Sequence, residues 1–216
     1  MCLLSYVGLG DLKVFTSNRD ISIRRPAAEK IATYPINGQE IKFPRDYKGG
    51  SWLAYDDNNI IVLLNGAAKN HISKKEYRKS RGLILLDLLA QKDTIAYWNA
   101  IDLDDIEPFT IVYLDSNNDL YELMWDYNQK KIRHLDTSAN HVWLSSTLYT
   151  PAEKQIVGDK FRVAPLSSLE NILSFNEVNT YQATKSAATK VHHVETVCHH
   201  QIIKEAHQTT CKEYFK

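Results

Sequence analysis

Cysteine is scarce in this chain of 216 residues, which has only Cys2, Cys198 and Cys211. An odd, sparse set does not make a disulfide framework, so a reducing compartment is expected. An excess of one charge is also missing, because 26 Lys and Arg balance 26 Asp and Glu. Without a cationic surplus nothing drives counterion release, which argues against a general nucleic-acid binder. Long hydrophobic runs are lacking too. The best are Ile60 to Leu64 and Leu83 to Leu86, far short of a membrane span. Asp11, Lys13 and Arg19 interrupt the opening stretch, so no secretory signal is read there. No internal repeat, low-complexity tract, phosphate-binding fingerprint or paired zinc spacing occurs. These absences predict a cytoplasmic, soluble protein with no integral membrane contact, no nucleic-acid partner, no metal and no cofactor. They leave its oligomeric state open.

What is present is ordinary for a globular protein: 44% hydrophobic and 24% charged residues. The length suits a single domain spanning 1–216. Leu3 to Val7 and Leu12 to Thr16 flank Gly8-Leu9-Gly10-Asp11, a hairpin signal that delivers Asn18, Arg19 and Asp20 just past the strand end. Ser51 to Tyr55 and Ile60 to Leu64 form a second hairpin, its second strand apolar throughout and so covered on both faces. Phe109 to Leu114 and Leu120 to Trp125 form a third. Ser80 caps a buried helix from Arg81 to about Gln91, and a helical stretch follows near Asp93 to Asn99. Further helices are expected at Pro151 to Phe161 and Leu166 to Phe175. Thr180 to Lys190 reads as a surface loop, and Val194 to Ile203 and Glu205 to Phe215 as closing strands. Strands, helices, strands, helices, strands with antiparallel hairpins suit a layered α+β domain and not a doubly wound parallel one.

Cys2 carries the sharpest chemistry. Once Met1 is trimmed, the residue holds both a thiol and a free α-amine, whose ordinary pKa near 7.7–8.0 makes it a base at neutral pH. A nucleophile activated by its own amine is an established way to perform acyl transfer. The alternative is an ordinary second residue. Asn18-Arg19-Asp20 is either part of that site or a turn held by local side-chain bonds. Asn65, before Gly66 at the mouth of a buried strand, suits an oxyanion donor or a simple turn. Gly49-Gly50 reads as a tight turn before Trp52. The basic run Lys74, Lys75, Arg78, Lys79 and Arg81 is a solvated stretch unless the substrate carries phosphate or carboxylate, when Arg78 and Arg81 become anchors. Cys198 and His200 share a strand face while His199 takes the other. His192, His193, His199, His200, His207, Cys198 and Cys211 are read as a solvated strand face in preference to a metal or haem site.

Met1-Cys2, Asn18-Arg19-Asp20, Phe43-Pro44-Arg45-Asp46, Gly49-Gly50-Ser51-Trp52-Leu53 and Leu63-Leu64-Asn65-Gly66 together look like the NRDE family. Its animal members are called transport and Golgi organization proteins. Tyr77 to Gly82, Ile106 to Thr110, Trp143 to Tyr149 and Glu195-Thr196-Val197 extend the resemblance over nearly the whole chain. The resemblance implies the N-terminal nucleophile hydrolase fold, a four-layer αββα sandwich of antiparallel sheets. By position it implies Cys2 as nucleophile, Arg19 and Asp20 as its supports and Asn65 as an oxyanion donor. Asn18, Trp52, Arg78, Arg81 and Ser146 are the candidate substrate contacts. Two departures stand out: Ile21 follows Asp20 where the family has Glu, and Ser146 replaces an Asn found in many members. The expected activity is hydrolysis of an amide or acyl thioester through Cys2. The alternative is a non-catalytic protein that binds and carries haem, a lipid or acyl-CoA on the same scaffold.

Overall fold

The computed structural model describes residues 3–185 and 193–215. In chain order the described residues form strands β1 (Leu3–Leu9), β2 (Leu12–Ser22), β3 (Ile31–Ile36), β4 (Gln39–Pro44), β5 (Leu53–Tyr55) and β6 (Ile60–Asn65). Helices α1 (Arg81–Leu89) and α2 (Thr94–Ala100) follow. Strands β7 (Phe109–Leu114), β8 (Leu120–Trp125), β9 (Lys130–Leu135) and β10 (His141–Leu144) come next. Helices α3 (Pro151–Val163), α4 (Leu169–Val178) and α5 (Tyr181–Thr184) precede β11 (Val194–Glu205) and β12 (Gln208–Phe215). The fold is α+β with two antiparallel sheets, as the pattern of hairpins and helices predicted.

One compact unit comprises Met1–Arg25 with Thr137–Lys216. Its sheet runs in the order β10-β1-β2-β11-β12. The tight turn at Gly10, with φ of 60°, closes β1 onto β2 so that Leu3 lies opposite Asn18 and Ser5 opposite Thr16. Helices α3 and α4 each bury an apolar stripe on this unit's core. Val157 and Phe161 from α3, and Ile172 and Phe175 from α4, join Leu3, Val7, Val14, Leu144 and Tyr181. Thr150 and Glu153 form a reciprocal capping box at the start of α3, with Pro151 in its first turn. Ser168 caps α4 by accepting from the Asn171 amide.

The second unit, Pro26–Asp136, holds the sheet β3-β4-β5-β6-β7-β8-β9. β6 and β7 are buried along nearly their whole length, which explains their mainly apolar sequences. Leu85, Leu88 and Trp98 from α1 and α2 cover Ile61, Leu63, Ile111 and Leu123. Ser80 caps α1 as expected, and Asp93 caps α2. The start of α1 lies on the turn at Gly50-Ser51, an approach that both Gly50 and Gly82 permit by lacking side chains.

Several expectations need correction. β2 runs on to Ser22, so Asn18, Arg19 and Asp20 are strand residues paired with β11, not a turn beyond the strand. β3, β4, β9 and β10 had no sequence-based counterpart. Within the Thr180–Lys190 segment, Tyr181–Thr184 is a helical turn with Tyr181 fully buried; residues 186–190 lie outside the described residues. The final strand begins at Gln208, after a turn in which Ala206 takes φ of 48°. Among the described residues no helix is long and apolar enough to cross a membrane.

Candidate active site

Strand alternation sends Asn18 and Arg19 to opposite faces of the first unit's sheet. Asn18 turns toward α4, where its Nδ2 donates to the Asn176 carbonyl at 2.9 Å and its Oδ1 accepts from Asn176 Nδ2 at 3.1 Å. His199 Nδ1 meets the same Oδ1 at 2.9 Å, and an amide oxygen only accepts, so that nitrogen carries the proton. Asn18 is fully buried. Its amide belongs to the helix–sheet interior, not to the face that carries Arg19.

Arg19 lies opposite Cys198, and Asp20 opposite Thr196. Two β11 residues serve successive β2 residues there because the strand carries a bulge between Thr196 and Cys198. The Thr196 hydroxyl donates to Asp20 Oδ1. Both Arg19 and Asp20 are buried, at 3% and 5% exposure, so their charges act through little solvent. Cys198 Sγ lies 3.7 Å from His200 Nδ1, and His200 Nε2 lies 3.4 Å from the Glu213 carboxylate. Ser17 stands opposite His200 and Glu213 on its other side, giving an in-register row of polar side chains on this face. Burial pushes the Cys198 thiol up to about 12, against the opposing pull of Arg19. Burial likewise holds the His200 imidazole below its ordinary value, although Glu213 pulls the other way. Cys198 and His200 do share a face and His199 takes the other, but these residues are buried, so the solvated strand face expected for them is not what is found. His192 lies outside the described residues.

Cys2 and Met1 also lie outside the described residues. Leu3, bonded to Cys2, pairs with both Asn18 and Leu144. Ser146 follows two residues after Leu144, buried in the turn where the Tyr149 amide donates to the Ser145 carbonyl. Arg19 and Asp20 therefore belong to one strand that flanks β1, and Ser146 to the turn that follows the other.

Trp52, Asn65, Arg78 and Arg81 belong to the other unit. Asn65 ends β6, and the left-handed Gly66 after it, with φ of 83°, donates its amide to the Pro108 carbonyl. Trp52 is buried, and its carbonyl accepts from the Leu63 amide. Gly49, with φ of 81°, sits in a turn closed by Asp46, as expected. The basic run is neutralised locally. Lys74 pairs with Asp105 at 2.7 Å, Arg78 with Asp102 at 3.1 Å, Arg81 with Glu107 at 2.9 Å, and Lys79 with Asp87. Arg78 also donates to the Asp102 and Asp104 carbonyls, and Arg81 to that of Pro108. Arg78 thus clasps the segment before α1, and Arg81 the first residue of α1, onto the loop at 102–108. Ser73 and His71 join Glu107 in the same clasp.

This unit also contains a polar cavity of about 510 Å³, lined in part by Asp56, Asp93, Asp115 and Tyr113. Burial raises the Tyr113 hydroxyl to about 12, and the three carboxylates add to the effect. Each carboxylate is committed to its own turn or helix cap. None of the sequence-predicted site residues lines it.

Thr196, His199, His200 and Glu213 around the Arg19–Asp20 end, and Asn176 beneath it, extend the site beyond the residues singled out for chemistry. Asn176 had a readable signal, since it shares the buried stripe of α4 with Ile172 and Phe175. A polar side chain on an apolar helix face requires a partner.

The sequence matches the family described as Transport and Golgi organisation 2 over residues 11–212. The chain belongs to that family. No curated protein matches the sequence. Among solved structures the fold resembles penicillin V acylase from Agrobacterium tumefaciens, with a TM-score of 0.55 and 7% identity over 100% of this chain and 86% of that one. It also resembles conjugated bile acid hydrolase from Clostridium perfringens. One variant gives a TM-score of 0.56 at 9% identity, over 98% of this chain and 92% of that one. The C2A mutant gives 0.54 at 10% identity, over 99% and 92%. At such identities the likeness shows the fold, that of the N-terminal nucleophile hydrolases.

Proposed function

We propose that this chain is a cysteine hydrolase of the N-terminal nucleophile type, cleaving an amide or acyl thioester through Cys2 after Met1 is removed. One observation carries the reading. Leu3, the residue bonded to Cys2, lies opposite Asn18, and the next two residues of that strand are a buried guanidinium and a buried carboxylate. The fold shared with an acylase and a bile acid hydrolase supports it.

In this reaction the freed α-amine accepts the thiol proton, directly or through a water. The sulfur attacks the carbonyl carbon, and the resulting oxyanion is held by N–H donors. The leaving group departs with the proton from the ammonium, and water then releases the acyl group from sulfur. Arg19 favours the thiolate by its charge, and Asp20, fixed by Thr196, orients the amine. We place the activity in the cytoplasm.

The test is intact-mass measurement of the mature protein with turnover of an acyl substrate panel by wild type and Cys2→Ala. Loss of Met1 and loss of turnover in the variant are expected. Retained Met1, or undiminished turnover, rejects the mechanism. A non-catalytic carrier of haem or an acyl ligand is the second reading, favoured by Ser146, a shorter side chain with one donor where many members carry an Asn amide. Absorbance titration with haem and native mass spectrometry of protein from cells test that reading.

A further inference from the structure

Asn176 is fully buried in α4, yet it spends every polar atom of its side chain on the two strands that lead to the proposed site. Its Oδ1 accepts from Ser5 Oγ of β1 at 2.8 Å. Its Nδ2 donates to the Thr16 carbonyl of β2 at 2.9 Å and to Asn18 Oδ1 at 3.1 Å. Its own carbonyl accepts from Asn18 Nδ2 at 2.9 Å. One helix residue therefore holds β1 through Ser5 and β2 through Thr16 and Asn18. Those positions lie on either side of the Leu4–Ser17 pair, and Ser5 lies directly opposite Thr16. His199 adds the third strand, β11, through Asn18.

We propose that Asn176 is a positioning residue. It sets the end of β2, which carries Arg19 and Asp20, against the start of β1, where Leu3 is bonded to Cys2. This rests on the hydrolase reading and deepens it. The physical reason for an amide here is register. A slip of one residue would send Arg19 to the helix face and Asn18 to the opposite one. An apolar side chain of similar size would fill the space but would tolerate such a shift, because hydrocarbon packing has no donors or acceptors to match. An amide that reads a hydroxyl, a strand carbonyl and a second amide does not, since leaving any of them buried and unbonded is costly.

The test uses the full chain and two readouts. The first is the thermal midpoint. The second is the rate of Cys2 alkylation by iodoacetamide at pH 6.5 relative to pH 9.5, followed on the Cys2 peptide below each variant's unfolding range. Wild type should alkylate at pH 6.5 at least about tenfold faster than free cysteine, for which only about 1% is thiolate. Asn176→Ala should remove most of that advantage. Asn18→Ala, which removes the amide bond the two residues share together with Asn18's own bonds to the Asn176 carbonyl and His199, should also lower it. Val157→Ala truncates the same unit's core away from these strands and should lower the midpoint while keeping the rate ratio. If Asn176→Ala and Asn18→Ala lower the midpoint but leave the ratio at the wild-type value, Asn176 is structural only and the proposal is overturned. If wild-type Cys2 reacts no faster than free cysteine, the hydrolase reading fails first, and the proposal with it.

Discussion

Gly82 approaches Ser51 so closely that a Cβ on the glycine would lie 2.6 Å from the Ser51 carbonyl oxygen and 2.9 Å from its amide nitrogen. Both opposing atoms are backbone, so neither can swing aside. Gly50 faces the same contact from the other side, its Cβ position 3.0 Å from the Gly82 carbonyl carbon. The pair explains why the Gly-Gly-Ser-Trp turn and the Ser-Arg-Gly helix start belong together.

Gly82→Ala should therefore destabilise the protein. Alanine in a helix gains up to about 1 kcal/mol over glycine, but overpacking a rigid site costs about 1–3 kcal/mol. Steric cost wins, and a net loss of about 1–2 kcal/mol is expected from urea unfolding. Gly158 is the internal control. It lies within α3 with nothing within 4 Å of an added Cβ, so Gly158→Ala should stabilise by about 0.5–1 kcal/mol. A neutral Gly82→Ala would refute the rigid contact.

Cys198 should be chemically quiet despite its neighbour His200. The thiol sits near 12 because burial disfavours its anion, and only 3% of the residue is exposed. At pH 8 its thiolate fraction is about a thousandfold below that of an ordinary thiol, an effect only partly offset by greater intrinsic nucleophilicity. Peptide mapping after iodoacetamide treatment of native protein should show Cys198 at least about a hundredfold slower than the same residue in urea. Rapid native labelling would mean that the strand opens or that His200 takes the thiol proton.

The parts of the fold that could be read early are those whose turns and apolar runs agree. β5–β6 and β7–β8 announce themselves because Asp- and Asn-rich turns separate mainly apolar strands. The hairpin β3–β4 was equally announced by Asn37-Gly38, both at positive φ, but exposed Thr33 and Pro35 obscured the strand beside it. β9, reading Lys-Lys-Ile-Arg-His-Leu, has little apolar content because it is an edge strand. Asn18-Arg19-Asp20 looked like a turn since these residues favour strands weakly. Their partners lie about 160 to 180 residues away, at Asn176, Thr196 and His199, and those partners overrule the local preference. The site was legible as residue types at the chain start. What holds it was not, because the bonds that satisfy Asn18 and Asp20 exist only once β11 and α4 are in place.

His200 makes stability fall on acidification in a definite window. Its imidazole is held below the ordinary value of 6.5 chiefly by burial, with Arg19 adding repulsion and Glu213 opposing. The unfolded chain therefore binds a proton near pH 6.5, while the folded protein does so only at lower pH. Between those two values the unfolded state carries more protons, so stability is full above pH 6.5 and drops as pH falls. One such group contributes a slope of at most about 1.4 kcal/mol per pH unit. Urea midpoints for wild type and His200→Gln, compared from pH 7.5 down to 5, isolate the contribution. A glutamine amide can still donate to Glu213 but does not titrate, so the variant's curve should be flatter below pH 6.5. Parallel curves would show that His200 titrates alike in the folded and unfolded chains, with Glu213 offsetting the cost of burial.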